Sequence, residues 1–194
     1  MSSDQEQPDV ELPGYKFIAR LGSGGYGEVW RAEAPGGLSK AVKIVFGRYD
    51  QQRAAIEMKA MERMKSLRHP FLLSLERIEI VENRLFVVTE LADGSLRDRF
   101  RQCQEAELPG IPRDELLRYL GDAADALDFL CDQSELQHLD VKPENLLLVA
   151  GHVKVADFGL VKDIYTSQAS LVGGMTPSYA APELFQGRPT RFSD

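Results

Sequence analysis

Residues 138–148 read HLDVKPENLLL, and this stretch decides the fold. Working outward from it, a DFG triplet at residues 157–159 begins twelve positions after Asn145. An APE triplet at residues 181–183 begins 22 positions after Gly159. Each motif alone is a weak signal, whereas all three in this order are a strong one.

Upstream, residues 22–29 read GSGGYGEV and lie between two predicted strands. Glycines at 22, 24 and 27 remove side chains where the backbone must approach another group closely, so that its N–H groups can face phosphate oxygens. A glycine-rich hairpin turn is the alternative interpretation, and it stays open at this point. A dinucleotide fingerprint needs a helix directly after the glycines, whereas residues 29–33 (VWRAE) predict a strand.

A lysine, Lys43, stands inside the apolar run AVKI at residues 41–44, sixteen positions after Gly27. A lysine in a strand usually occupies the solvated face of the sheet. In this run it has a second interpretation, in which it points beneath the glycine loop towards phosphates.

The composition excludes several classes of protein. The chain has 194 residues, 43% of them hydrophobic and 27% charged, which is typical of an ordinary globular protein. A net charge of −7 argues against a nucleic-acid partner. Two cysteines are too few for a disulfide framework or a zinc site and indicate a reducing compartment. No apolar run approaches 18 residues, so we expect no membrane segment in this stretch, and the polar first eleven residues are not a signal peptide.

The order of elements predicts a flexible acidic leader over residues 1–13, followed by a strand-rich part and then a helical part. One helix is predicted over residues 51–67, and Pro70 ends it. The predicted strands are short runs rich in β-branched and aromatic residues: 17–21, 29–33, 41–45, 78–81 and 85–89.

After Leu91 the pattern becomes helical, with a short helix over residues 94–103 and a long one over residues 112–131. Two short apolar runs, 146–149 and 153–156, lie among the loops that follow. The long helix carries an apolar stripe that should face the core: Leu116, Leu120, Ala123, Leu127 and Leu130.

Taken together, the motifs resemble those of the eukaryotic-type serine/threonine protein kinase catalytic domain, over about residues 15–194. The resemblance implies an α+β, bilobal kinase-like fold. In it, residues 14–91 form a β-rich, nucleotide-binding N-lobe. Residues 92–194 form an incomplete helical C-lobe with the catalytic loop and activation segment. The implied activity is transfer of the γ-phosphoryl group of Mg-ATP to Ser/Thr hydroxyls of protein substrates.

The resemblance also implies the catalytic roles. Asp140 would accept the proton of the substrate hydroxyl, and Lys142 would neutralise charge on the moving phosphoryl group. Lys43 would bind the α- and β-phosphates and pair with a helix glutamate. Glu57 is preferred over Glu62 for that pairing.

Metal and nucleotide contacts follow in the same way from the resemblance. Asn145 and Asp157 would hold Mg²⁺ ions. The hinge at residues 89–92 would bind the adenine edge through backbone groups. The implied nucleotide contacts, besides Lys43, are Leu21, Gly22, Gly24, Gly27, Val29, Ala41, Thr89, Glu90, Ala92 and Leu147.

Two features point to a Ser/Thr acceptor: Lys142 two positions after Asp140, and Thr176 before the APE triplet.

One feature departs from the family, because Leu139 replaces the arginine usual before the catalytic aspartate. That arginine pairs with a phosphorylated residue in many relatives. We therefore expect phosphorylation of Thr166, Ser167 or Ser170 to have little effect on activity by this route.

The chain ends at residue 194, where the family continues into further helices, and we expect it to be a fragment of a longer protein. Ser193-Asp194 resembles the start of a buried helix whose aspartate anchors the catalytic loop.

A catalytically weak nucleotide-binding or scaffolding module is the alternative function. The expected location is cytoplasmic, with a membrane tether of the parent protein possible outside this stretch.

Overall fold

The computed structural model describes residues 7–24, 27–46, 65–157, the backbone of Lys162–Asp163, and residues 176–194. These residues form two compact units. The first contains Ser74–Leu91 and the described part of Met1–Leu67. The second contains Arg68–Leu73 and the described part of Ala92–Asp194.

The first unit is built on a five-stranded antiparallel sheet, with strand order β1-β2-β3-β5-β4. Each of the five predicted strands is present and slightly longer than predicted. The strands are β1 (Lys16–Gly24), β2 (Gly27–Glu33), β3 (Ser39–Val45), β4 (Leu75–Val81) and β5 (Arg84–Glu90). The turn from β4 to β5 uses Glu82 and Asn83, both with positive φ, as a tight two-residue hairpin requires.

One face of this sheet is the core of the first unit, because alternate residues of a strand point to opposite faces. Its buried members come from three strands and from the segment before β1: Val10, Leu12, Trp30, Ala32, Val42, Ile44, Phe86 and Val88.

The expectation of a flexible leader over residues 1–13 is wrong for Val10 and Leu12. Leu12 is only 1% exposed, and its carbonyl accepts a hydrogen bond from the Tyr15 amide at 3.0 Å. Two apolar residues in a polar stretch produce no helix or strand periodicity, so only the packing against the sheet reveals their role.

The second unit contains two helices, α1 (Leu96–Glu105) and α2 (Arg113–Ser134). A capping box begins α1, because the Ser95 side chain accepts from the Asp98 amide while the Asp98 carboxylate accepts from the Ser95 amide. The long helix, predicted over residues 112–131, begins one residue later, with Pro112 at the N-cap, and ends three residues later. Among the described residues, no helix combines the length and the apolar character that a bilayer crossing requires.

Short strands complete the second unit. A three-stranded sheet has the order β6-β8-β9, from β6 (Gly94–Ser95), β8 (Leu146–Val149) and β9 (His152–Val155). A separate pair joins β7 (Leu136–Gln137) to β10 (Lys162–Asp163). A 3-10 helix covers Pro182–Gln186.

The predicted stripe of α2 is wrong only for Leu120, since Ala123 and Leu130 are buried and Leu116 and Leu127 are half-buried. The buried apolar residues are Tyr119, Ala123, Ala126 and Leu130, and Leu120 is 46% exposed. Because β7 and β9 contact the helix, they select the residues that face them. Tyr119 faces these strands, and Leu120, one residue further, lies about 100° around the helix and points away from them.

A charged cluster joins α1 to α2. The Arg99 guanidinium donates to the two carboxylate oxygens of Glu115 at 2.7 and 3.0 Å, and the Tyr119 hydroxyl donates to the same carboxylate at 3.0 Å. The hydrogen bond from Arg99 is the main reason that the pKa of Glu115 lies below its usual value. Burial, followed by the bond to Glu115, raises the pKa of Tyr119.

Substitution Leu12→Ala should lower the free energy of unfolding of the first unit by about 2–5 kcal/mol, because it leaves a cavity in the sheet core. Urea titration followed by the fluorescence of Trp30, the only tryptophan and a member of the same core, measures this loss. The matched control is Leu38→Ala, at a leucine that is 61% exposed, with an expected change within about 0.5 kcal/mol. Equal losses in the two variants would contradict the packing of Leu12.

Substitution Glu115→Gln should lower the free energy of unfolding near pH 7 by about 1.5–3 kcal/mol, the range for hydrogen bonds to charged groups. The folded-state pKa of Glu115 is depressed. Its stabilising contribution is therefore complete above the unfolded pKa of about 4.3 and disappears as the pH falls through the folded pKa. Urea titrations between pH 7 and pH 3 should show the gap between wild type and variant closing at the acidic end. Asp128→Asn, at an exposed aspartate away from the ends of the same helix, should stay within about 0.5 kcal/mol of the wild-type curve.

Candidate active site

The carboxylate of Asp140 receives three hydrogen-bond donors in the second unit. The Thr176 amide donates to Oδ1 at 3.0 Å. The Lys142 ammonium donates to Oδ2 at 2.6 Å, and the Asn145 side-chain amide donates to the same oxygen at 3.1 Å. The structure thus brings together four residues that the sequence motifs singled out.

Lys142 and Asn145 each make a second bond that fixes the cluster. Lys142 Nζ donates to the Thr176 hydroxyl at 2.8 Å, so the lysine bridges Asp140 and Thr176. Asn145 Nδ2 donates to the Asp140 carbonyl at 2.8 Å, so both amide hydrogens of Asn145 are directed at Asp140. The amide oxygen of Asn145 is consequently the atom that this side chain can offer to a cation.

The Asp140 carboxyl is ionised at neutral pH. Burial acts to raise its pKa, but the hydrogen bonds from Lys142 and Thr176 together outweigh burial and place the pKa below its ordinary value. An ionised carboxylate held in one orientation can orient a hydroxyl group and accept its proton.

The backbone on either side of Leu139 is held by two side chains. The Asp194 carboxylate accepts from the His138 amide at 2.8 Å and from the Leu139 amide at 2.6 Å. His138 Nδ1 accepts from the Asp140 amide at 3.3 Å, so His138 Nε2 is the nitrogen that donates to the Ala156 carbonyl, at 2.7 Å. This places Asp194 where the family resemblance expected it.

The predicted metal ligands, Asn145 and Asp157, are brought close by the backbone. The Ala156 amide donates to the Asn145 carbonyl at 2.9 Å, and Asp157 is the next residue, with φ of +62°. Amide and carboxylate oxygens are the donors that Mg²⁺ prefers, and Mg²⁺ sites commonly combine one or two protein carboxylates with substrate phosphates. The described residues contain no cluster of three or more His, Cys, Asp or Glu side chains suited to a metal, so the fit rests on this oxygen pair.

In the first unit, four predicted nucleotide contacts share one face of the sheet. The strand register pairs Val29 with Lys43 and Ala41 with Thr89. Because these residues alternate with the buried core residues of the same strands, all four lie on the face opposite the core. Val29, Ala41, Lys43 and Thr89 are all half-buried.

The predicted glycine contacts fall into two kinds. A Cβ at Gly27 would lie 2.2 Å from the Ile44 carbonyl oxygen, so packing within the sheet itself requires glycine there. A Cβ at Gly22 or Gly24 would meet no described atom within 4 Å. Packing against the described residues therefore explains only Gly27. Leu21 lies at a register shift just before these glycines and is exposed.

The hinge residues are tied to the start of β4. The Glu90 amide donates to the Ser74 carbonyl at 3.3 Å, and the Glu90 carboxylate accepts from the Ser74 amide at 2.8 Å. The Glu90 amide is thus engaged within the chain, and the Glu90 carbonyl accepts a hydrogen bond from the Thr89 hydroxyl at 3.1 Å. No sequence motif marked Ser74 for this role. Ala92 and Leu147 are both half-buried in the second unit.

Several predicted residues lie outside the described part of the chain. They include both candidates for the glutamate partner of Lys43, the last two residues of the DFG triplet, and the three hydroxyl residues of the activation segment: Glu57, Glu62, Phe158, Gly159, Thr166, Ser167 and Ser170.

Substitution Lys142→Met should raise the pKa of Asp140, because it removes the strongest of the bonds that favour the ionised form. A pH titration of the aspartate carboxyl carbons by ¹³C NMR measures this pKa directly. Lys16→Met, at an exposed lysine of β1, is the control and should leave the pKa of Asp140 unchanged. An unchanged value in Lys142→Met would contradict the assigned origin of the shift.

Comparison with known proteins identifies the family of this chain. A family model described as protein kinase domain matches residues 15–193. Human NUAK family SNF1-like kinase 2 is 30% identical over 90% of the chain and 28% of its own length. The serine/threonine-protein kinase ULK3 of Xenopus laevis is 30% identical over 89% of the chain and 37% of its own length. The cAMP-dependent protein kinase catalytic subunit of Schizosaccharomyces pombe is 30% identical over 90% of the chain and 34% of its own length.

The chain thus spans between 28% and 37% of the length of these relatives. The match covers the glycine loop, the catalytic loop and the APE triplet. These findings do not favour the alternative of a module without phosphoryl transfer.

Proposed function

The chain belongs to the protein kinase domain family, and on that premise we propose that it acts as a serine/threonine protein kinase. It transfers the γ-phosphoryl group of Mg-ATP to a Ser or Thr hydroxyl of a protein substrate. The observation that carries this proposal is the cluster of Asp140, Lys142, Asn145 and Thr176, with the carboxylate ionised and held by three donors.

In this reaction a bond forms between the substrate hydroxyl oxygen and the γ-phosphorus, the bond from that phosphorus to the β–γ bridging oxygen breaks, and ADP leaves. Asp140 orients the hydroxyl and accepts its proton. Lys142, already beside Asp140 Oδ2, neutralises negative charge on the phosphoryl group as it moves. Phosphoryl transfer needs little covalent chemistry from the protein, so the fixed geometry of this cluster supplies its main contribution.

Asn145 and Asp157 are the residues that would hold magnesium. When bound, the cation supplies charge neutralisation on the phosphate oxygens. The chain contributes two oxygen donors from backbone segments that are joined by the hydrogen bond between the Ala156 amide and the Asn145 carbonyl.

The nucleotide contacts of the first unit are supported by the sheet face that carries Val29, Ala41, Lys43 and Thr89. Two of these residues are apolar and suit an adenine ring, and Lys43 suits the α- and β-phosphates. No described atom lies within 4 Å of a Cβ built at Gly22 or Gly24, which supports a close approach of phosphates to the backbone there. Leu21, Leu147 and the pairing of Lys43 with Glu57 remain predictions.

The acceptor, the partner and the compartment follow from different observations. The bond from Lys142 to the Thr176 hydroxyl supports a Ser/Thr acceptor. The partner is therefore a protein with an exposed Ser or Thr, and the net charge of −7 does not favour nucleic acid. A cytoplasmic location is proposed from the two free thiols, Cys103 and Cys131.

The test is transfer of radiolabel from [γ-³²P]ATP with Mg²⁺ to a mixed Ser/Thr peptide pool by the purified chain. Asp140→Asn should lower transfer at least about 100-fold, the usual minimum for loss of a proton acceptor. Asp128→Asn, at an exposed aspartate of α2, is the matched control and should keep wild-type transfer. Equal transfer by Asp140→Asn and wild type would overturn the proposal. ATP binding without transfer by the wild type would support the non-transferring module in its place.

A further inference from the structure

A small apolar cluster joins the catalytic loop to the APE segment in the second unit. Leu139 is 5% exposed and Leu184 is 1% exposed, and the two pack together with Ala180 and Ala181 at the edge of the cluster. Leu139 lies directly before Asp140 in the chain. The contact therefore acts on the same loop that carries the proposed proton acceptor.

The backbone at Leu139 is held in a conformation that leucine seldom adopts. Its φ is +62°, in the left-handed region that is disfavoured for residues with a branched side chain. The Asp194 carboxylate accepts from the amides of His138 and Leu139 and secures this turn. The direction of the Leu139 side chain is thus set by the anchored backbone.

Backbone hydrogen bonds between residues close in sequence connect the Leu184 end of the cluster to Thr176. The Leu184 amide donates to the Ala181 carbonyl at 3.0 Å, and the Ala180 amide donates to the Thr176 carbonyl at 3.2 Å. The Thr176 amide in turn donates to Asp140. The segment 176–187 is therefore attached to the catalytic loop at two places, by polar bonds to Asp140 and Lys142 at Thr176 and by apolar packing at Leu184.

We propose that Leu139 is a positioning residue whose apolar contact with Leu184 holds the segment 176–187, and with it Thr176, against the catalytic loop without a phosphate group. The family resemblance places an arginine at position 139, where attachment to a phosphorylated residue would be ionic. An apolar contact needs no modification and is not screened by salt. The effect on turnover rests on the proposed kinase function, whereas the attachment itself does not.

Four variants test the proposal: Leu139→Asn, Leu139→Met, Leu184→Ala, and the double variant Leu139→Asn/Leu184→Ala. Asparagine tolerates the left-handed backbone and removes the apolar contact, whereas methionine keeps an apolar side chain of similar volume.

The first measurement is amide hydrogen exchange of residues 179–187, which does not depend on activity. We expect exchange at least about tenfold faster in Leu139→Asn and Leu184→Ala, equal to a loss of about 1.4 kcal/mol in local stability, and near wild type in Leu139→Met. Unchanged exchange across Arg113–Ser134 shows that each variant is folded. Wild-type exchange at residues 179–187 in both Leu139→Asn and Leu184→Ala would overturn the proposal.

The second measurement separates kcat from the KM for ATP in peptide phosphorylation. A displacement of about 1 Å at a reacting group costs about 100-fold, so we expect kcat to fall about 10- to 100-fold with an unchanged KM for ATP. The double variant should lose no more than the more damaged single variant, because both substitutions break one contact. Wild-type protein treated with phosphatase should keep its turnover.

Additive losses in the double variant, or loss of wild-type turnover after phosphatase treatment, would overturn the proposal. If the wild type transfers no more label than Asp140→Asn, the kinase function fails, and the exchange measurement alone still decides whether Leu139 attaches the segment.

Discussion

The ionised carboxylate of Asp140 is the constraint around which the second unit is organised. A partly buried carboxylate is costly unless donors surround it, and here the donors come from Lys142, Asn145 and the backbone of Thr176. Thr176 is 36 residues away in the chain, so satisfying one charge brings two distant segments together. The interactions with Lys142 and Thr176 hold the pKa of Asp140 low, against the effect of burial. The bond that attaches Thr176 to the catalytic loop thus also helps to keep the Asp140 carboxyl ionised.

The loop that carries Asp140 holds its shape through backbone bonds to residues outside it. Asp194 accepts two amides, and His138 links the Asp140 amide to the Ala156 carbonyl. Leu139 and Asp157 both have positive φ, and such backbone conformations persist only where the surroundings hold them. The bonds from Asp194 are those surroundings for Leu139, and they turn its side chain towards Leu184. The backbone conformation of the loop is therefore held by residues of the chain itself.

The first unit depends on strand register in the same way. The register that pairs Val29 with Lys43 and Ala41 with Thr89 places these four residues on one face and the apolar core on the other. A slip of one residue would exchange the two faces. Burial of the core side chains, with Leu12 packed among them, is what opposes such a slip. The candidate nucleotide face is thus specified by the core behind it.

The sequence by itself determined the family, the five strands of the first sheet, both helices of the second unit and the residues of the Asp140 cluster. These follow from motif order, strand composition and helix periodicity, which can be recognised within short stretches of the sequence. Only the tertiary structure decided that Leu12 is buried, that Leu120 is exposed and that Leu139 packs on Leu184. Each of those outcomes depends on which surface a side chain meets after distant segments come together. A local pattern shows that a residue is apolar, but the identity of its partner is set by long-range packing.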